Sequence, residues 1–336
     1  MAIIKVLMLF YLSLNIFQIS DQIKIGKIKT EKRFPVKVVG YDSSDSLYIL
    51  NEPVDLCYNK ITGKIYVFSA KDYNVKVFDD NLKYIEQFGR YGQGPVEFLN
   101  PEGIDVNKNG NILITEWTLI KIIDKEKKCL TVINTKVAAF AACSKFDNRG
   151  YIYINDVKDG FLFSVYDMNG NLITRFGDIY QPEYESFLLS ENNVLFAIDD
   201  KDNIYCCFYN NPILRKYDSG YNLIYEKKLD KIPEVKKIIK DWKKEIKENP
   251  QSSNHYAHKG IVKGICVDED YLYIMFGSHY PRSVYIFKKD SLQIVRKLVL
   301  HVDNRFDEGY LNRLACSDEH LYCLDNLNMT ILKYEK

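Results

Sequence analysis

The feature that most constrains the fold is a short β-like run ending in an aromatic residue or isoleucine and then an acidic or polar residue. It reads Val77-Phe78-Asp79, Ile122-Ile123-Asp124, Val165-Tyr166-Asp167, Lys216-Tyr217-Asp218, Ile286-Phe287-Lys288 and Lys333-Tyr334-Glu335, with middle residues 45, 43, 51, 70 and 47 apart. A period of about 45 residues is the signature of four-stranded propeller blades. Each unit also carries an earlier run, such as Lys64-Ile65-Tyr66-Val67 or Tyr271-Leu272-Tyr273-Ile274. Turn residues such as Thr62-Gly63 and Asn109-Gly110 precede several of these runs, as tight hairpins require. The expected fold is all-β: one six-bladed β-propeller over residues 21–336.

Two irregularities sharpen that expectation. The sixth unit stops at Lys336, directly after its third strand, which leaves an open sheet edge that something must fill. Strand-like pieces lie before the first blade at Lys24 to Ile28, Val36 to Val39 and Leu47 to Leu50, and one of them is predicted to complete the last blade and close the ring. The 70-residue spacing holds a helical pattern in which Val235, Ile239, Trp242 and Ile246 share a face, Pro233 opens and Asn249-Pro250 stops. This predicts an amphipathic helical insertion at about 231–250, between blades four and five.

That insertion carries seven lysines from Lys231 to Lys247. Its apolar stripe suits a helix packed on the propeller rim, with a partner-binding helix and a membrane-surface helix as the other readings.

Composition supports the β assignment and removes one class of partner. Aromatic residues are 14% of the chain, with 26 Tyr, the content that packs on pleated surfaces. Basic and acidic residues number 46 and 45, so the broad positive field of non-specific nucleic-acid binding is missing and no nucleic-acid partner is expected.

Residues 1–20 place Lys5 before a run from Val6 to Phe17 that only Ser13 and Asn15 interrupt, and Ser20 stands at a candidate cleavage position. The pattern is that of a secretory signal peptide, too short for a comfortable membrane span. Export to the periplasm or exterior is expected, with an uncleaved tether or a buried first strand as alternatives. Membrane contact is expected only through this segment.

From Phe88 to Glu116 the chain reads FGRYGQGPVEFLNPEGIDVNKNGNILITE. This resembles the blade junction of NHL-like six-bladed propellers, above all a bacterial exported group whose blades join through K/R-x-G-Q-G-P-x-E-[FY], here Arg90 to Phe98. The resemblance implies an exported propeller and no catalytic residues. Members of the group are often lipoproteins, and this chain lacks the lipoprotein cysteine.

A propeller ligand would meet the loops that enter the inner strands, here Asp55, Glu102, Asn193, His258, Lys259 and Arg313. This set mixes both charge signs without repeated acids, which favours a polar ligand mouth over a metal centre, with solvated loop ends as the plain alternative. His255 and His258 form an H-x-x-H with no obvious third ligand, and Gly89 to Pro95 lacks a P-loop ending. No metal or cofactor is expected.

Eight cysteines are present, with Cys57, Cys143, Cys266 and Cys316 on inner strands of different blades. They read as free packing residues, with Cys316–Cys323 the most plausible bridge if one forms. Cys206 and Cys207 point to opposite faces of a regular strand. The function expected is an exported binding or scaffold propeller for a protein, glycan or small molecule. Its rival is a metal-dependent, lactonase-like hydrolase or a lyase at the channel mouth, and a third reading is a sensor or assembly module.

Overall fold

The computed structural model describes residues 19–22, 28–40, 45–135, 144–182, 185–248, 259–277 and 282–336. Six sheets stand around one axis. Blade 1 shows the plan: an inner strand Pro53–Asn59, then Lys64–Ser69, Asn74–Asp79 and an outer Tyr84–Phe88, each paired antiparallel with the one before. The other inner strands are Pro101–Val106, Ser144–Phe146, Val194–Ile198, Val262–Val267 and Leu311–Cys316.

The recurring aromatic-acid pair now has a physical reason. Its aromatic residue is buried, as at Phe78, Tyr217, Phe287 and Tyr334. Its acid closes the next hairpin: Asp79, Asp167 and Asp218 each use Oδ1 to accept backbone N–H groups two and four residues ahead. Such a turn lets the carboxylate satisfy donors that the ending strand leaves unpaired. Inner strands end in the same way at Asn107, Asp147 and Asp199.

Tyrosine fills the space between blades. Tyr153, Tyr205, Tyr273, Tyr285, Tyr322 and Tyr334 are almost wholly buried. Each hydroxyl donates to a partner, in that order Asp147, Asp199, Asp268, Glu234, Asp80 and the His301 carbonyl. A buried phenol left without a partner would cost about 1–3 kcal/mol, so these bonds let the rings stay in the core.

The beginning of the chain closes the ring. Of its three described strands, β1 (Ile19–Gln22), β2 (Lys29–Arg33) and β3 (Lys37–Gly40), the last pairs antiparallel with Thr330–Glu335 and completes blade 6 as expected. Gly40 allows that approach, because a Cβ there would sit 2.2 Å from the Met329 carbonyl oxygen. The pairings of the other two strands were not foreseen. β1 joins the outer strand of blade 4 in parallel, and β2 does the same on blade 5, with Glu31 opposite Leu298. The leading segment therefore straps three successive blades.

Two other expectations change in the leading segment. Leu47 to Leu50 is not a strand: Ser46–Tyr48 forms a helical turn that the Asp45 carboxylate starts by accepting the Leu47 N–H at 3.0 Å. The Lys24 to Ile28 piece, apart from Ile28, lies outside the described residues, as does the hydrophobic segment up to residue 18. Ile19 and Ser20, beside the candidate cleavage position, belong to β1.

The Arg90–Phe98 junction is held by one buried lysine. Lys121 Nζ donates to the carbonyls of Gly94 and Glu97 and pairs with Glu116 at 3.1 Å. Glu97 turns back to accept the Gly94 N–H at 2.8 Å, and a Cβ on Gly92 would meet that carboxylate at 2.2 Å. The glycines are needed for the turn, as the lack of a P-loop ending suggested.

The insertion is a helix over Pro233–Glu248. Val235 and Ile238 are buried in the core shared by blades 4 and 5, with Ile239 packed against it. Glu234 ties the first turn to blade 5 by accepting from Ser283, Tyr285 and Lys297. Trp242 lies beneath the Lys259 ammonium, 4.4 Å from the ring centre, and Ile246 is half-buried. Much of the apolar stripe is thus covered by the propeller itself.

Candidate functional site

The inner strands run in one sense, so the ring has a near face where they begin and a far face where they end. All six ends wall a far mouth of about 420 Å³. It continues inward, through shared residues such as Asp105 and Cys316, into a channel cavity of about 140 Å³.

The far mouth is acidic. Asp105, Asp147, Asp199 and Asp268 stand on its wall, and Asp200, Glu269 and Asp318 reach its rim. Lys60 and Lys108 are the basic residues lining it. The wall acids are held by their own surroundings: Asp105 pairs with Lys145 at 3.4 Å, Asp147 with Arg149 at 2.8 Å, and Asp268 with Lys336. Burial works against ionised Asp268, but hydrogen bonds from Lys336, Tyr273 and the Tyr271 N–H outweigh it and hold its carboxyl below the usual range. The rim acids are more exposed but also paired: Asp318, at 67% side-chain exposure, lies 3.1 Å from Lys60, and Asp200, at 61%, lies 3.3 Å from Lys289.

The near face gathers the sequence-derived candidates into two groups. Asp55 accepts the Ile104 N–H at 3.0 Å and lies 3.6 Å from Arg313, which also donates to the Val54 carbonyl. Glu102 accepts from the exposed Trp117 at 2.9 Å, and burial raises its carboxyl against the pull of Trp117 and Arg313. Across the ring, Lys259 pairs with Glu191 at 3.1 Å, and the Asn193 carbonyl accepts the Tyr209 N–H. His258, like His255, lies outside the described residues.

Sequence reasoning missed the far mouth. The signal was present in the residues that end the inner strands, Asn59, Asn107, Asp147, Asp199, Asp268 and Ser317, but each reads alone as turn chemistry. Only ring closure brings them together.

Cys57, on the channel wall, is not an activated thiol. Burial, with Asp105 adding to it, pushes the Cys57 thiol well above its usual range, so it stays protonated at neutral pH. Among the described residues, no group of three or more His, Cys, Asp or Glu is placed to hold a metal ion. The arrangement is suited to attracting and hydrogen-bonding cationic groups.

Comparison with known proteins fits this architecture. A family described as 6-bladed beta-propeller, DUF5128, matches residues 14–324, and the chain belongs to it. No curated protein matches the chain by sequence. Among solved structures it is similar to a Bacteroides fragilis protein described as a "Putative exported protein", at TM-score 0.56 and 12% identity over 92% of this chain and 99% of that one. A member of the duf4221 family from Bacteroides vulgatus superposes at 0.55 and 13% identity over 94% and 98%. Virginiamycin B lyase from Staphylococcus aureus does so at 0.54 and 11% identity over 89% and 99%. At these identities the likeness is one of fold. Among the described residues, no helix is long and apolar enough to cross a membrane.

Proposed function

We propose that this chain is an exported, non-enzymatic binding propeller whose far mouth receives a ligand carrying ammonium or guanidinium groups. The observation that carries this reading is the convergence of carboxylates from blades 2 to 6 on one cavity of about 420 Å³, a volume in the range of small-molecule sites. Unlike the wall acids, Asp200, Glu269 and Asp318 project to solvent, where their field draws cations inward. Export is supported by the leading hydrophobic segment and by the likeness of Arg90–Phe98 to the junction of exported propellers.

The near-face Asp55 and Arg313 are engaged with each other and with neighbouring backbone, and Glu102 accepts from the Trp117 indole, which suits a structural role. The rival reading, a hydrolase or lyase, has no specific observation in its favour.

Calorimetric titration of the purified chain with spermidine, a lysine-rich peptide, citrate and a neutral oligosaccharide tests the proposal. The two cationic probes should bind and weaken with added salt. Binding of citrate or the oligosaccharide with neither cation would refute it.

A further inference from the structure

The channel wall carries two thiols on neighbouring strands whose register can be read directly. Gly264 of blade 5 lies against the inner strand of blade 6: a Cβ there would come within 2.9 Å of both the Arg313 carbonyl carbon and the Leu314 nitrogen. Both strands run from the near to the far face and rise about 3.3 Å per residue. Two residues beyond that contact, they bring Cys266 level with Ala315-Cys316. Cys266 and Cys316 both line the channel cavity, and Cys316 also lines the far mouth. Burial, and then a hydrogen bond with the Cys316 thiol, hold the proton on Cys266.

The bridge suggested by sequence is not the favoured one. Cys323 stands opposite Leu314 in the hairpin, whereas Cys316 stands opposite Leu321. The Cys323 thiol is buried and directed at the Asn312 carbonyl at 3.6 Å.

We infer that Cys266 and Cys316 form a redox-active pair whose oxidation places a disulfide between blades 5 and 6. The oxidant is a small-molecule disulfide entering from the far mouth. The sulfur of Cys316, the half-buried member, attacks it, releases one thiol and becomes a mixed disulfide. The sulfur of Cys266 then displaces the second thiol. Two protein thiols give up two protons and two electrons, and the small disulfide is reduced to two thiols. The bond ties blade 5 to blade 6, the blade whose fourth strand comes from the start of the chain.

The test treats reduced, folded full-length protein with glutathione disulfide and follows it by intact-mass and peptide mass spectrometry. The expected product has lost about 2 Da, contains a Cys266–Cys316 cross-linked peptide, and unfolds several degrees higher than the reduced form. Cys266→Ala should stop at the glutathione adduct on Cys316, Cys316→Ala should form neither adduct nor cross-link, and Cys323→Ala should behave as wild type. A lasting adduct on wild-type Cys316, a bond mapped to Cys323, or no reaction before denaturation would overturn the inference. The wild-type map decides the matter even if an alanine variant fails to fold.

Discussion

Leu332, in the last strand of the chain, is the cross-strand partner of Val38, in the strand that precedes the first blade. With Ile331 opposite Val39, this pair is the seam of the ring.

The seam should dominate stability. Val39 is 8% exposed and packs in the cluster shared by blades 6 and 1. Val39→Asp places an unpaired charge there and is expected to cost about 3 kcal/mol or more. A chain starting at Ile28 loses β1 and should still unfold in one step, whereas one starting after Gly40 leaves blade 6 open and should lose cooperativity. Urea unfolding followed by tyrosine fluorescence checks both.

Lys121 should matter through its partners. Lys121→Met leaves the Gly94 and Glu97 carbonyls and the buried Glu116 carboxylate without their cation, an expected loss of about 3–5 kcal/mol. Adding Glu116→Gln removes the stranded charge while keeping an acceptor for the Leu99 N–H, so the double variant should recover part of that loss. A double-mutant cycle in urea measures the coupling.

Docking of the insertion helix should depend on pH through Glu234. Burial opposes its ionisation, but Lys297, Tyr285 and Ser283 outweigh burial and hold its pKa below the ordinary value. A lowered folded pKa means the contribution is fully present above the unfolded value of about 4.3 and is lost as pH falls through the depressed one. Emission from Trp242 in a Trp117→Phe background should therefore be flat from neutral pH to about pH 5 and change only well below pH 4. Glu234→Gln should loosen the helix at neutral pH.

Much of the fold was legible in the sequence because its signals are local and repeated. The acid after Phe78, Tyr166 and Tyr217 marks a hairpin that uses a carboxylate at that place, and Pro233 with its apolar stripe marks the helix. The fifth strands were not legible: Lys-Thr-Glu-Lys-Arg in β2 has no hydrophobic alternation, because it pairs on the outside of blade 5 through its backbone. Leu47 to Leu50 looked like a strand because its apolar residues suit one, but Asp45 caps a helical turn there and Lys76 Nζ gathers carbonyls from Ser46, Leu47 and Ile49. The acidic mouth is a property of the closed ring, since its carboxylates are tens of residues apart in the chain.

The placement of the ligand at the far face is tested most directly by repeating the spermidine titration on two variants. Asp200→Asn/Glu269→Gln/Asp318→Asn removes charge from the far rim, and Asp55→Asn/Glu102→Gln alters the near face. The far-rim variant should bind about 10-fold more weakly or worse, and the near-face variant should match wild type. The reverse pattern, or equal binding by all three proteins, would contradict the account.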